Sequence, residues 1–132
     1  MKSLITLVLV TLSLSAGAAE KFKQIGTAEL DKMMKETGAK QTMVFDANTA
    51  ETRTKDGIIP GAKLLDSSSS YDVAKTLPAD KNASLVFYCA NTKCMAAPGA
   101  AERAMKAGYK NVAVYHEGIE GWKKAGKPTA KN

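Results

Sequence analysis

The chain has 132 residues, of which 45% are hydrophobic and 24% are charged, and its formal net charge is +6. This composition is typical of a globular protein and excludes disorder, collagen-like repeats and low complexity as descriptions of the whole chain. The basic residues are scattered, and only Lys123 and Lys124 are adjacent. Because a nucleic-acid-binding face shows clustered basic side chains, we predict no nucleic acid partner.

The first 18 residues have the features of a secretory signal peptide. Lys2 supplies a positive charge, residues 4–14 are apolar or hydroxylated, and small residues precede the expected cleavage site. The strongly apolar part is too short to span a membrane comfortably, which argues against an uncleaved anchor. We therefore expect cleavage after Ala18 or Ala19, with no stable membrane insertion afterwards. The mature protein is expected to be exported, with the periplasm favoured over secretion.

Residues 19–132 are predicted to form a single domain in which strands and helices alternate. We predict strands at 22–25, 42–46, 84–88 and 111–115, a turn at 58–62 leading into residues 63–66, and helices at 27–37, 50–55, 72–77, 95–107 and 119–124. Thr27 is the expected cap of the first helix. Because the strands are short and apolar on both faces, the pattern predicts an α/β fold. Its parallel central sheet would have about five strands and helices on both faces.

Two residues whose side chains could take part in chemistry stand at the carboxyl ends of predicted strands: Asp46 is the last residue of its strand, and Cys89 directly follows the next. In a parallel sheet, ligands bind beyond the carboxyl ends of the strands. The segment after Cys89 joins a buried strand to a helix, so backbone N–H groups and the positive end of the helix dipole are expected to face the thiol. Such surroundings lower the pKa of a thiol, and the resulting thiolate can attack sulfur, carry a persulfide or exchange disulfides. An inert buried thiol remains the alternative from spacing alone.

Cys89 and Cys94 are the only cysteines, five residues apart. An oxidising compartment permits a disulfide between them, but the bond would close a very small loop and remove little entropy from the unfolded chain. Redox chemistry is therefore a better reason for such a bond than stability, and whether the bond forms stays open. With one histidine, His116, and no second thiol pair, the sequence predicts no metal site and no cofactor.

Five motifs occur in the order typical of one known family. They are MVFDA, GIIPGA at 57–62, LPADKNASLVFYC, AMKAGYKNV at 104–112 and EGIEGWKKAGKP at 117–128. Over residues 44–128 the sequence thus resembles a single-domain rhodanese-like protein of the sulfurtransferase type. The resemblance implies that Cys89 is the nucleophile that forms a persulfide. It also implies that residues 89–94 are a six-residue active loop whose amides hold the transferred sulfur, and that the strand of Asp46 lies beside that of Cys89.

Three positions depart from the family pattern. The loop often ends in arginine, and here Cys94 stands there; the strand-end aspartate is usually followed two residues on by arginine, here Asn48; and the histidine of the proline turn is Ile58. Lys93 is the one basic side chain in the loop. We therefore expect poor thiosulfate turnover. No arginine follows Cys89 at the spacing that phosphatases of this fold use to bind phosphate, so phosphatase activity is disfavoured.

The leading hypothesis is an exported sulfurtransferase or sulfur carrier. Cys89 accepts sulfane sulfur from a small anion, thiosulfate or polysulfide, and passes it to a thiol or a cyanide-like acceptor, while Cys94 resolves or protects the persulfide. Asp46 has a supporting role. The active loop, which stabilises the thiolate and persulfide, is assigned to Ala90, Asn91, Thr92, Lys93 and Met95. The alternatives are a thiol–disulfide redox protein that uses the same pair, and a non-catalytic rhodanese-like binding module.

Overall fold

The computed structural model describes residues 22–132, so the predicted signal peptide lies outside the described residues, and its cleavage and export stay predictions. In chain order the elements are β1 (Lys23–Ile25), α1 (Thr27–Met34), β2 (Thr42–Asp46), α2 (Ala50–Asp56), β3 (Lys63–Leu64), α3 (Val73–Thr76), β4 (Ser84–Tyr88), α4 (Ala96–Lys106), β5 (Asn111–Tyr115) and α5 (Gly118–Lys124), with a short 3-10 helix at Gly38–Lys40. The strand bounds predicted at 42–46, 84–88 and 111–115 are confirmed. Within residues 22–132, no helix is long and apolar enough to cross a membrane.

The strands form one five-stranded sheet in the order β1-β5-β4-β2-β3, and every neighbouring pair is parallel. This confirms the predicted parallel sheet. It also confirms that the strand of Asp46 lies beside the strand that leads to Cys89, since Asp46 is paired with Tyr88. The carboxyl ends of all five strands therefore lie at one edge, where ligands bind in parallel sheets.

The two faces of the sheet carry separate apolar clusters, and helices cover both. Phe45, Phe87 and Cys89 lie on the face covered by α4, which presents a row of small buried side chains: Ala97, Ala100, Ala101 and Ala104. Val86 and Tyr88 lie on the opposite face, which is covered by Leu30 of α1 and by Ile119 and Trp122 of α5. Because side chains alternate along a strand, Cys89 and the residue before it face opposite sides of the sheet.

The start of α1 differs from its prediction. Gly26, not Thr27, is the cap, and no side chain accepts a capping hydrogen bond there. Thr27 is instead the first helical residue, and its hydroxyl hydrogen-bonds to the phenol of Tyr115 over 2.6 Å. This contact across the fold takes the oxygen that a local cap would need. The helix ends at Met34 rather than at 37, because the chain tightens there: the Lys35 N–H donates to Lys32 O and the Glu36 N–H donates to Met33 O, each three residues back.

Candidate functional site

The two cysteines lie at the ends of the loop that joins β4 to α4. Cys89 directly follows β4 and is 3% exposed, whereas Cys94 is half-buried two residues before α4 begins. Their sulfurs are joined as a disulfide, and the two Cα atoms are 6.4 Å apart, inside the range that a disulfide requires. The bond that the sequence left open is therefore present in this structure.

Asn91 folds the loop so that Cys94 returns to Cys89. The Lys93 N–H donates to Asn91 Oδ1 over 3.0 Å, and the Cys94 N–H donates to the Asn91 carbonyl oxygen over 3.2 Å. An asparagine that bonds to the backbone two residues on is typical of a tight turn. These two amides are thus used inside the loop, and they do not contact the sulfur of Cys89.

The amide that contacts the sulfur of Cys89 comes from α4. The Ala97 N–H donates to Cys89 Sγ over 3.4 Å, and Ala97 is the second residue of this 11-residue helix. The first turn of a helix has unsatisfied N–H groups and a partial positive charge, and both favour a thiolate. The sequence predicts that the start of the helix faces the Cys89 thiol, and this contact agrees with that expectation. A role for the amides of residues 90–95 in holding a transferred sulfur stays a prediction.

Helix α5 holds the other side of the loop by its own first turn. The Ile119 N–H donates to the carbonyl oxygen of Cys89 over 2.9 Å, and the Glu120 N–H donates to that of Ala90 over 3.0 Å. Gly118 makes this approach possible, because a Cβ there would lie 2.5 Å from the Cys89 oxygen. From the sequence, this segment was recognised only as a family motif. The signal that it missed is a glycine at a helix start that has no capping side chain.

Asp46 lies on the face of the sheet opposite Cys89, and its carboxylate is fully buried. It accepts hydrogen bonds from the phenol of Tyr88 over 2.5 Å, from the Asn48 N–H over 2.8 Å and from Arg53 Nε over 3.1 Å. No hydrogen bond joins it to the loop at 90–95 among the described residues. Burial, reinforced by the charge of Asp46, raises the pKa of Tyr88, so this phenol remains a donor. Asp46 thus joins β2, β4 and α2 rather than touching the thiols.

Both arginines have structural partners. Arg53 Nη2 donates to the carbonyl oxygens of Asp46 and Leu65, each over 2.9 Å, and Arg103 Nε donates to that of Tyr71 over 2.9 Å. Lys93 is exposed in the loop beside Cys94. The cationic groups that would bind an anionic donor near the thiols are accordingly few, as the departures from the family pattern predicted.

Asn48 and Met95 complete the surroundings of the loop. Asn48 occupies the position where the family usually has arginine; it is 8% exposed, and its Nδ2 has no hydrogen-bond partner among the described residues. It follows Ala47, whose N–H donates to the carbonyl oxygen of Tyr88 over 2.9 Å, so its backbone runs beside the end of β4. Met95 is 74% exposed at the rim of the loop, next to Cys94.

Comparison with known proteins points to one family. Residues 26–125 match the family model of the Rhodanese-like domain. The search of curated proteins gives no significant match. Among solved structures, a Bacillus halodurans protein is 25% identical over 83% of this chain and 77% of its own, with a TM-score of 0.70.

Two further structures have similar folds. A Rhodopseudomonas palustris protein, described as of unknown function and a possible tyrosine phosphatase, is 26% identical over 83% of this chain and 85% of its own, with a TM-score of 0.64. A rhodanese-like domain protein from Staphylococcus aureus is 24% identical over 76% of this chain and 91% of its own, with a TM-score of 0.60, and shows likeness of fold alone.

Proposed function

Because the chain belongs to the rhodanese-like domain family, we propose that it is a sulfur carrier whose Cys89 forms a persulfide that Cys94 can resolve. The observation that carries this proposal is the joining of Cys89 and Cys94 across one loop at the start of α4. The buried thiol follows a central strand, one N–H of α4 faces its sulfur, and a second thiol reaches the same sulfur. A nucleophile, a group that stabilises its thiolate and a resolving group are therefore within one site.

Loading begins from the Cys89 thiolate. The thiolate attacks the outer sulfur of thiosulfate, a new S–S bond forms, and sulfite leaves with the electron pair of the broken S–S bond. With polysulfide the leaving group is the polysulfide shortened by one sulfur. The Ala97 N–H and the positive end of α4 stabilise the charge on sulfur before the attack.

Release takes one of two routes. An external thiolate attacks the outer sulfur of the persulfide, takes it as a new persulfide and leaves Cys89 as thiolate. In the other route the Cys94 thiolate attacks Cys89 Sγ, hydrosulfide leaves, and the Cys89–Cys94 disulfide forms. The second route ends in the bond that the structure contains, and a reductant of the thiol class must then return both cysteines to thiols.

Polysulfide suits the site better than thiosulfate does. Thiosulfate is a compact dianion, and sites for such anions normally supply arginine. Both arginines of this chain have structural partners, and Lys93 is the basic side chain that the loop offers. We therefore expect loading by polysulfide to exceed loading by thiosulfate. The same lack of arginine in the loop after Cys89 argues against phosphatase activity.

The second candidate function is thiol–disulfide exchange by the same pair, without sulfane sulfur. The specific observation in its favour is the disulfide itself, formed in a site where Cys94 occupies the family's usual arginine position. A non-catalytic module is the third possibility, and it predicts slow alkylation of Cys89 at neutral pH.

The deciding experiment measures the mass of the reduced protein before and after polysulfide or thiosulfate, with Cys89→Ser and Cys94→Ser in parallel. We expect a gain of one reducible sulfur that requires Cys89 and accumulates further in Cys94→Ser, because the resolving thiol is missing there. Loss of two hydrogens that requires both cysteines and no sulfur donor would favour the redox candidate. No gain of sulfur with either donor, together with no loss of hydrogens in the absence of a donor, would contradict both.

Export is proposed separately, on the character of residues 1–18. The mass of the protein recovered from a periplasmic extract tests it. We expect the amino terminus at residue 19 or 20, and a protein that starts at Met1 in the cytoplasm would contradict export.

A further inference from the structure

We propose that an external thiol enters the Cys89–Cys94 disulfide at Cys94 Sγ, so that Cys94 carries the mixed disulfide and Cys89 leaves as thiolate. This inference deepens the proposed function and rests on it only for the reason why the pair must be reduced. It assigns Cys94 as a thiolation site, and it names the partner by chemistry: a thiol, delivered as its thiolate.

Access to the two sulfurs is unequal. Cys89 is 3% exposed and belongs to the apolar cluster under α4, whereas Cys94 is half-buried and packs against the edge of that cluster. The residues on either side of Cys94 are open to solvent: Lys93 is exposed and Met95 is 74% exposed. In the disulfide, the bonded Cys94 Sγ also blocks approach to Cys89 Sγ from its own side. An entering thiolate therefore meets Cys94 first, and Cys89 becomes reachable by a sulfur donor after reduction.

The two sulfurs also differ as leaving groups. A disulfide is cleaved faster when the departing thiolate is better stabilised. Cys89 Sγ accepts the Ala97 N–H over 3.4 Å at the start of α4. Among residues 22–132 no N–H donates to the sulfur of Cys94, and the N–H of Cys94 itself is bonded to Asn91 O. Departure of Cys89 is thus favoured over departure of Cys94.

Charge at the entrance favours a thiolate. Lys93 immediately precedes Cys94 and is exposed, and no acidic residue lies between positions 89 and 101 of the sequence. The positive side chain attracts an anionic thiol before contact, an effect that salt weakens.

The exchange proceeds in two balanced steps. The external thiolate attacks Cys94 Sγ, a new S–S bond forms, the Cys89–Cys94 bond breaks, and its electron pair passes to Cys89 Sγ. A second thiolate then attacks the external sulfur of the mixed disulfide. The external disulfide leaves, and Cys94 becomes a thiolate that takes a proton from water. The protein gains two electrons, and two external thiols are oxidised to one disulfide.

The sequence provides a direct test. Trypsin cleaves after Lys81, Lys93 and Arg103, so that residues 82–93 hold Cys89 and residues 94–103 hold Cys94 on separate peptides. The oxidised full protein is treated briefly with glutathione, quenched with N-ethylmaleimide at mildly acidic pH and digested. We expect glutathione on the Cys94 peptide and maleimide on the Cys89 peptide, in at least tenfold excess over the reverse pattern. Reduced protein taken through the same steps is the control and should carry maleimide on both peptides.

The reverse pattern, equal labelling of the two peptides, or a protein that forms no disulfide in air would each overturn the inference. Its failure is distinguishable from failure of the proposed function, because sulfur loading is measured on the reduced protein. Glutathione on Cys94 without any gain of sulfur on Cys89 would leave this inference standing and contradict the sulfur carrier. Sulfur on Cys89 together with glutathione on the Cys89 peptide would support the sulfur carrier and contradict this inference.

Discussion

The N–H of Ile119 donates to the carbonyl oxygen of Cys89 over 2.9 Å, so the first turn of α5 holds the backbone of Cys89. The next amide, that of Glu120, holds the carbonyl of Ala90 in the same way over 3.0 Å. Two helices thus meet the loop from different sides, since α4 offers an N–H to the sulfur and α5 offers two to the backbone. The carbonyl oxygen of Cys89 is thus bonded to α5, and its sulfur is bonded to α4.

Gly118 is expected to tolerate a side chain poorly. Its φ is +66°, and a Cβ would lie 2.5 Å from Cys89 O and 2.6 Å from the carbonyl carbon of Ala90. A left-handed conformation costs a non-glycine residue about 1–2 kcal/mol, and overpacking adds about 1–3 kcal/mol. We predict that Gly118→Ala lowers the free energy of unfolding in urea by about 2–5 kcal/mol and slows alkylation of Cys89.

Gly126→Ala is the matched control, because its φ is +75° and a Cβ there meets nothing within 4 Å. Gly126→Ala should lower the free energy of unfolding only by the backbone cost, about 1–2 kcal/mol, and leave the rate of Cys89 alkylation unchanged. Equal losses in the two variants would mean that α5 does not pack tightly against the loop.

Arg53 is expected to stabilise the fold without acting on the thiols. It is 8% exposed, and its Nε donates to the fully buried Asp46. Removing one partner of a buried ion pair costs about 3–5 kcal/mol, because the other charge is left uncompensated. We predict this loss for Arg53→Met in urea unfolding, with an unchanged rate of Cys89 alkylation in the folded protein.

Arg103→Met serves as the comparison, because Arg103 donates to a carbonyl oxygen and leaves no buried carboxylate behind. Arg103→Met should lower the free energy of unfolding by about 1 kcal/mol. Clearly slower alkylation of Cys89 in a folded Arg53→Met protein would show that the Arg53–Asp46 ion pair does act on the thiol.

The sheet was predictable from the sequence because its signal is local. Thr42–Asp46 and Ser84–Tyr88 are apolar runs of strand length, and the structure places both as predicted. Thr27 was mispredicted as a cap because its hydroxyl is taken by Tyr115, which lies 88 residues away. The loop amides of residues 90–95 were expected to face the sulfur together with the helix start, and two of them, those of Lys93 and Cys94, bond to Asn91. Which way a loop amide points depends on such turns.

The partners of Asp46 show a second limit. A strand-end carboxylate next to a strand that ends in cysteine suggests a shared site. Alternation places Asp46 on one face and Cys89 on the other. The position of Asp46 at the end of a strand was predictable from the apolar run before it. Its hydrogen bonds with Tyr88 and Arg53 were not, because they depend on the pairing of β2 with β4 and on the turn to α2.

Lys93 is expected to assist the entry of anions to the site. It is exposed in the loop, and the two arginines have structural partners. A single charge at short range in a watery site contributes about 1 kcal/mol. We predict that Lys93→Gln slows sulfur loading from thiosulfate about three- to fivefold at low ionic strength, and less in salt.

Lys40→Gln is the control for Lys93, because Lys40 is exposed just before the amino end of β2, at the sheet edge opposite the loop. It changes the net charge equally and should leave the loading rate unchanged. Equal slowing in both variants would show that net charge, not position, governs the rate.

Tyr71 is expected to make the fold sensitive to alkali. It is 3% exposed, its phenol donates to Ala100 O over 2.7 Å, and burial raises its pKa from 10.0 to about 12. From about pH 10 to about pH 12 the unfolded chain has lost this proton while the folded chain still holds it. The folded state then binds more protons, so the free energy of unfolding falls as pH rises, whereas below about pH 10 the contribution is fully present.

Replacing Tyr71 by phenylalanine removes this titration. At neutral pH, Tyr71→Phe should lose about 0.5–1.5 kcal/mol, the contribution of the hydrogen bond to Ala100. Between about pH 10 and about pH 12 its unfolding free energy should then fall less steeply than that of the unaltered protein, because the remaining tyrosines and the lysines titrate equally in both. Urea unfolding across this range measures the two slopes. Parallel curves would mean that the Tyr71 phenol releases its proton in the folded state as readily as in the unfolded chain, and that it does not couple alkali to stability.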